Sequence, residues 1–185
     1  MAVQLSLVGL DLPRVPASVA AAQSLWDYPH IPGDVVCANA MLVGTAGEAL
    51  VDSLLLRHGL LPMQVPGNLA SDRLVYTPGG LARMQVKTCS MPRDGAYSFH
   101  VGKGYRNTPQ GVRAYGPDDF DVLALVCLAD NAVFFTHELR PDFRIPVSAI
   151  PSLRADPRAS LEEALIGIGI DLTGDASDAA APCAA

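Results

Sequence analysis

The feature that most constrains the fold is the run FDVLALVCLA at residues 120–129, which is apolar almost throughout. A short run without polar alternation is typical of a strand that is buried on both faces of its sheet. The segment AVFFTHE at 132–138 follows a turn at Asp130–Asn131 and predicts a second strand. The chain is therefore expected to contain a buried strand pair.

A helix is predicted upstream of these strands, because apolar residues recur at helical spacing between 50 and 55. Thr45 and Glu48 have the spacing of a capping box at its start, and Gly59 marks its end. The chain then changes to the two-residue period of strands. The strand candidates are LPMQVP at 61–66, the two halves of a hairpin at 71–88, and AYSFHV at 96–101.

The segment SLEEALIGIGI at 160–170 predicts a second long helix, with Ser160 and Glu163 in another capping box. The predicted order is a helix, three or four antiparallel strands, a loop, the buried strand pair and a helix. This order indicates an α/β fold with a mixed central sheet flanked by helices.

The length of 185 residues suits one ordinary core. Residues 1–43 are interrupted by prolines and are expected to form an arm or cap, with a short helix candidate in ASVAAAQSLW. Residues 44–170 then form the core domain. The Ala- and Asp-rich tail, residues 171–185, is expected to be disordered.

The composition is that of a globular protein, with 50% hydrophobic and 17% charged residues. The apolar runs are too short and too often broken to span a bilayer, and the N-terminus lacks the basic leader of a signal peptide. Four cysteines are scattered without metal-ligand spacing. This pattern favours reduced thiols in a cytoplasmic protein.

The charge is unevenly distributed along the chain. The net charge of −6 argues against nucleic acid, because phosphate neutralisation dominates such binding. Residues 83–113, however, carry a net charge of +5. This basic stretch is either a binding footprint or a solvated face.

The hairpin SDRLVYTPGGLARMQVKT at 71–88 has polar residues at its open end. Because strand side chains alternate, Arg83, Gln85 and Lys87 share one face of the second strand. A two-residue turn at Gly79–Gly80 would place Asp72 opposite Lys87 and diagonal to Gln85. A three-residue loop would shift this register by one and separate the three side chains, unless a bulge corrected it.

A carboxylate and an amide oxygen are hard ligands of the kind that Mg²⁺ prefers. A lysine beside a metal-bound water can orient it or help to remove its proton. The combination of Asp72, Gln85 and Lys87 therefore suits metal-assisted hydrolysis of a phosphodiester.

These residues resemble the PD-(D/E)XK nuclease superfamily in its Gln-x-Lys variant. The order of Glu48, Asp72 and Gln85-Val86-Lys87 is most similar to archaeal Holliday-junction resolvases and to intron-encoded homing endonucleases. The resemblance covers about residues 44–136. It implies a restriction-endonuclease-like αβββαβ core and DNA cleavage that depends on Mg²⁺, with Mn²⁺ as a substitute.

The resemblance also implies a role for each matching residue. Asp72 and Gln85 would ligate the metal together with the Val86 carbonyl, and Lys87 would activate or position the water. Glu48 would hold a metal-bound water or a second metal.

DNA is the implied partner, and a homodimer is expected because cutting a duplex or a junction needs two active sites. Asp121 is expected to have a helix-cap or strand-entry role, but in relatives polar residues just before the buried strand lie near the site, which here also points to Tyr115 and Asp121. The basic stretch and its aromatic residue supply the candidate nucleic-acid contacts. These candidates are Arg83, Arg93, Lys103, Tyr105, Arg106 and Arg113.

Two residues depart from the family pattern. Ser71 stands where the family name has proline, and Gln85 stands where most members have an acid, which lowers the negative charge at the metal. A second hypothesis is therefore an inactive module of the nuclease fold that binds nucleic acid or serves in protein assembly. A third is a structural or protein-binding domain that uses the N-terminal arm. Glu48 also has an alternative role as a helix cap.

Overall fold

The computed structural model describes residues 25–67, 69–104, 109 and 111–172. The chain divides into two compact units between Asn39 and Ala40. In the first unit the described part holds one short helix, α1 (Gly33–Ala38). The helix candidate ASVAAAQSLW lies outside the described residues except for its last two positions, and the C-terminal tail lies outside them from residue 173 onward.

The described part of the second unit holds three α-helices, two short 3₁₀ helices and seven strands. The α-helices are α2 (Ala40–Arg57), α3 (Ile150–Ala155) and α4 (Pro157–Gly167). The strands are β1 (Leu61–Gln64), β2 (Arg73–Thr77), β3 (Gly80–Cys89), β4 (Ala96–His100), β5 (Val122–Cys127), β6 (Ala132–Thr136) and β7 (Asp142–Pro146). None of the described helices is long and apolar enough to cross a membrane.

Five strands form the central sheet in the order β1-β2-β3-β5-β6. The β3–β5 pair is parallel and the other three pairs are antiparallel, so the predicted mixed sheet flanked by helices is confirmed. All six residues of β5 are buried, as the apolar run predicted. The reason is that each face of β5 meets a different part of the core.

One face of the sheet packs against α2 and α4, through residues such as Val51, Leu55 and Leu165. The other face packs against β4, β7 and the start of α3. Tyr97 and Phe143 are among the aromatic residues of this second layer. Strand β5 therefore needs apolar side chains in both directions, whereas β3 alternates because part of one face opens to a cavity.

Of the three or four antiparallel strands predicted after the first helix, three lie in the central sheet. Strand β4 pairs only with β7, in a separate two-stranded antiparallel sheet. Strand β7 was not predicted, because Pro141 and Pro146 suggest a loop. The αβββαβ order is also modified: among its described residues, the connection from β3 to β5 contains β4 and loop instead of a helix.

Both predicted helix caps were placed wrongly. Helix α2 begins at Ala40, so Thr45 lies inside it and cannot be its N-cap. Helix α4 begins at Pro157, a residue favoured at the first helical position, and Asp156 caps it by accepting a hydrogen bond from the Ala159 N–H at 3.1 Å. Ser160 instead accepts a hydrogen bond from the Phe135 N–H of β6 at 3.2 Å. Gly59, with φ of +76°, does follow the end of α2 as predicted.

Helix α2 is attached to the sheet by ion pairs to one buried arginine. The Arg73 guanidinium, whose side chain is 7% exposed, contacts Asp52 at 2.8 Å and Glu48 at 3.0 Å. It also donates a hydrogen bond to the Asp72 carbonyl at 2.9 Å. Asp52, as the nearest partner, raises the pKa of Arg73. These contacts fix the start of β2, where Asp72 lies, relative to the helix that carries Glu48.

Replacing Arg73 with Met is expected to lower the free energy of unfolding by about 3 kcal/mol. The substitution leaves Glu48 and Asp52 without their cation, and both carboxylates are only about 30% exposed. Urea denaturation measures the change. Arg57→Met, at the exposed end of α2, is the control and should stay within about 0.5 kcal/mol of the unsubstituted protein. Equal losses in both variants would contradict the structural role of Arg73.

Candidate active site

The hairpin register differs from the predicted one by two residues. Thr77 pairs with Gly80, so the turn is Pro78–Gly79, and regular pairing continues to Arg73 opposite Met84. Proline suits the first turn position because its fixed φ matches the turn and it needs no N–H there. The expectation that Asp72 lies opposite Lys87 was therefore wrong. Asp72 lies beside Gln85, and Lys87 is diagonal to it.

The predicted sharing of one face is nevertheless observed. A shift of two residues preserves the side to which each side chain points. The alternate residues Ala82, Met84 and Val86 pack into the core on the helix side of the sheet. Arg83, Gln85 and Lys87 line the cavity on the opposite side, together with Asp72.

Asp72, Gln85 and Val86 form a closely connected group. The Asp72 carboxylate accepts a hydrogen bond from the Val86 N–H at 2.8 Å. Its same oxygen, Oδ2, accepts another from the Gln85 amide. That amide nitrogen also donates to the Val86 carbonyl at 3.1 Å. The Gln85 side chain thus places a polar atom between a carboxylate oxygen and a backbone carbonyl oxygen.

This arrangement fits a cation after one small change. Half a turn about the last bond of Gln85 exchanges its nitrogen for its oxygen, and the two ends of an amide have nearly the same size. The amide oxygen would then converge with the Asp72 carboxylate and the Val86 carbonyl. Among the described residues, no group of three or more His, Cys, Asp and Glu side chains could hold a metal. A metal here would therefore rely on one carboxylate, one amide, one carbonyl and water, as Mg²⁺ often does.

Burial raises the pKa of Asp72, and the nearby charge of Glu48 acts in the same direction. The Val86 hydrogen bond and the charges of Lys87 and Arg73 oppose this effect without cancelling it. A buried carboxylate with a raised pKa is stabilised by a cation that approaches it.

Lys87, which lines the cavity, is held by two contacts. Its Nζ donates to the Gly102 carbonyl at 3.1 Å and lies 2.9 Å from the Tyr115 hydroxyl. Burial lowers the pKa of Lys87, and the charge of Asp72 only partly offsets this. A lysine with a lowered pKa is better able to accept a proton near neutral pH than an exposed one.

The cavity is open and has a volume of about 770 Å³. Its floor holds Asp72, Gln85 and Lys87. Its walls come from the segment before β2 and from the loop before β5, and they are mainly polar. Lys103 and Arg113 belong to the second wall, and each donates its backbone N–H to the carbonyl of the other at 2.9 Å. On this floor Asp72 and Lys87 are partly exposed, whereas Gln85 is buried.

Glu48 lies on the helix side of β2. Its carboxylate contacts Arg73, which in turn binds the Asp72 carbonyl. Glu48 is not among the described residues that line the cavity. It therefore influences Asp72 through its charge and through Arg73.

Acidic residues neutralise much of the predicted basic footprint. The Arg83 guanidinium pairs with Asp121 at 2.7 Å and also binds the Asp118 carbonyl. Lys103 pairs with Asp119 at 2.5 Å. The acidic partners lie outside the window of residues 83–113, so a local charge count could not include them.

The remaining nucleic-acid candidates differ in position. Arg113 lines the cavity. Arg93 forms an isolated backbone bridge with Ala96 at the turn before β4 and is not among the described lining residues. Tyr105 and Arg106 lie outside the described residues.

The role of Gly102 was missed by sequence reasoning. Its backbone carbonyl contacts Lys87, and a carbonyl leaves no signal in a sequence. Only its glycine identity offers a clue, because a Cβ at this position would lie 2.7 Å from Val112. Close approach of two segments is a common reason for glycine.

No protein-family model matches the chain, and no curated protein matches its sequence. Among solved structures, the chain is similar to the bacterial homing endonuclease I-Ssp6803I, with 18% sequence identity and a TM-score of 0.46. The similarity covers 60% of this chain and 72% of that chain. At this identity and score, any statement about function has to depend on the site itself.

Proposed function

We propose that the chain is a metal-dependent endonuclease of the PD-(D/E)XK type that hydrolyses phosphodiester bonds in DNA. The observation that carries the proposal is the convergence of Asp72, Gln85 and Lys87 on the floor of one open cavity, with the Val86 carbonyl bound to the Gln85 amide. The proposed substrates are the DNA junctions cut by resolvases or the duplex sites cut by homing and phage-type nucleases. The proposed assembly is a homodimer.

Asp72, the rotated Gln85 amide and the Val86 carbonyl are the groups that would hold Mg²⁺. The ion, when bound, lowers the pKa of a coordinated water and stabilises negative charge on the reacting phosphate. Lys87 is the proton acceptor or water-positioning group of the chain. Two of the three directions around its Nζ are used by Gly102 and Tyr115, which leaves the third for a water in the cavity.

Arg113 and Lys103 are the basic side chains best placed to contact DNA phosphates along the cavity wall. Their contribution depends on salt, because phosphate binding releases counterions. Lys103 must exchange its contact with Asp119 for a phosphate, so Arg113 is expected to be the stronger contact.

An inactive nucleic-acid-binding module is the second candidate function, and one observation favours it. The Gln85 amide donates to both acceptors that a metal would use. The Asp72 carboxylate is therefore already hydrogen-bonded within the protein. In such a module, Gln85 would take the place of the ion permanently.

Calorimetric titration with Mn²⁺, together with a cleavage screen, separates the two functions. The endonuclease is expected to release or absorb heat on Mn²⁺ addition and to cut at least one DNA when Mg²⁺ is present. The screen contains a four-way junction, linear duplexes, a flap and a single strand, each with an EDTA control. DNA binding without Mn²⁺ binding and without cleavage would support the module and contradict the endonuclease.

A further inference from the structure

Tyr115 occupies a central place between the two lysines of the chain. Its hydroxyl lies 2.9 Å from Lys87 Nζ, and its ring centroid lies 5.1 Å from the same atom. Lys103 Nζ lies 5.8 Å from the ring. The ring also packs edge-on against Phe120 with a centroid distance of 5.0 Å. Tyr115 is therefore fixed by its ring and contacts Lys87 through its hydroxyl.

The loop that carries Tyr115 is tied to the sheet next to the cavity. The Arg83 N–H donates to the Asp121 carboxylate at 2.7 Å, and the Asp121 N–H donates to the Arg83 carbonyl at 2.8 Å. Asp119 accepts from the Gly116 N–H at 2.6 Å and pairs with Lys103. These contacts hold the residues on the C-terminal side of Tyr115 against β3, the strand that carries Lys87.

The hydroxyl stays protonated at neutral pH. Burial and the nearby charge of Asp72 raise the pKa of Tyr115 to about 12. A neutral phenol can accept a hydrogen bond from the charged amine and also from the neutral amine, which keeps two N–H donors and leaves its lone pair free for a proton from water. The contact with Lys87 can therefore persist in either charge state of the amine.

We propose that Tyr115 is a positioning residue for Lys87, whose hydroxyl holds Nζ in the orientation needed at the cavity floor. This inference rests on the proposed endonuclease function. The Gly102 carbonyl fixes one direction of the amine and Tyr115 fixes a second. Without the hydroxyl the amine can rotate about its long side chain, and such misplacement lowers the rate of the chemical step more than it weakens substrate binding.

The test compares the unsubstituted protein with Tyr115→Phe, which removes the hydroxyl and keeps the ring. The expected result is a fall in kcat of about 10- to 100-fold with an unchanged DNA affinity. In a Lys87→Ala background the same substitution should have no further effect, because there is no amine left to position. Tyr76→Phe is the matched control, since Tyr76 is an exposed tyrosine of β2 that does not line the cavity, and it should cleave at the normal rate.

A second measurement does not depend on cleavage. Because the chain contains only two lysines, Lys87 and Lys103, selective ¹⁵N labelling gives two side-chain amine signals in an NMR spectrum. Tyr115→Phe should shift the signal of Lys87 and change that of Lys103 less, since the ring that faces Lys103 is retained. An unchanged Lys87 signal would overturn the inference.

The kinetic outcomes separate this inference from the proposed function. If the unsubstituted protein cuts DNA and Tyr115→Phe cuts equally fast, the positioning role is wrong while the endonuclease stands. Equal losses from Tyr115→Phe with and without Lys87 would also overturn the role, because Tyr115 would then act through another group. If the unsubstituted protein cuts none of the DNAs, both the function and the role fail, whatever the NMR spectrum shows.

Discussion

Replacing Asp72 with Asn is expected to abolish the heat of Mn²⁺ binding and to lower DNA cleavage by about 1,000-fold or more. Asp72 is the one carboxylate among the proposed ligands, so the substitution removes their only negative charge. In the variant, the new asparagine, Gln85 and the Val86 carbonyl offer a divalent cation only neutral oxygens. Calorimetry and a single-turnover cleavage assay measure the two effects.

The same substitution is expected to leave the protein at least as stable as before. The pKa of Asp72 is raised in the folded state, chiefly by burial, so folding disfavours its charged form. For an acid with a raised pKa, stability falls as the pH rises from the unfolded-state pKa towards the folded-state pKa, and the penalty is complete above the folded-state pKa. An asparagine side chain at this position removes the penalty, and its oxygen can still accept the hydrogen bonds from Val86 and Gln85.

Asp121→Asn is the matched control, because it changes another carboxylate of the same region whose pKa is lowered instead of raised. Arg83 lowers the pKa of Asp121, so its charge stabilises the fold above the unfolded-state pKa and this contribution is lost as the pH falls. This variant should bind Mn²⁺ normally and unfold more easily at neutral pH. A loss of Mn²⁺ binding in both variants, or in neither, would contradict the assignment of Asp72.

The sequence predicted which site residues share a face of the sheet better than it predicted which residues lie next to each other. The side of β3 on which Gln85 and Lys87 lie follows from alternation alone, and alternation does not depend on distant contacts. The hairpin register depended on which two residues make the turn. PGG offers two choices, and the choice with proline inside the turn is the one adopted. An error of two residues kept the shared face and changed the neighbour of Asp72.

Long-range partners were not accessible in the same way. Arg73 pairs with residues 21 and 25 positions away, and Arg83 with a residue 38 positions away. No periodicity relates such positions, so the sequence could not show that Glu48 contacts Arg73 or that acidic residues pair with the basic stretch. Strand β7 was missed although its residues alternate between exposed and buried, because Pro141 and Pro146 suggested a loop and its pairing with β4 is a long-range contact.

The floor of the cavity carries two charges that the fold disfavours. Burial raises the pKa of Asp72 and lowers that of Lys87, so both groups are shifted towards their neutral forms. Each partly relieves the other through their mutual attraction. Residues that reduce stability in this way are more often functional than structural. The cluster of Arg73, Glu48 and Asp52 on the helix side of β2 differs from this floor. In that cluster each charge has a close partner of opposite sign.

Lys87→Ala is expected to retain DNA binding and to lower cleavage by about 100- to 10,000-fold, the range typical of a general base. Because burial lowers the pKa of Lys87, its charge does not stabilise the fold, so the variant should still fold. Lys103→Ala is the control, since the chain has only these two lysines and both line the cavity. It should weaken DNA binding at low salt and leave the cleavage rate of bound DNA nearly unchanged.

The comparison of the two lysine variants decides what Lys87 does. A proton acceptor affects the rate of bound DNA, whereas a phosphate contact affects affinity and its dependence on salt. If Lys87→Ala cuts DNA at the normal rate with Mg²⁺ present, its assignment is wrong. If it loses affinity as Lys103→Ala does and its bound DNA is cut at the normal rate, Lys87 is a phosphate contact, and another group must activate the water.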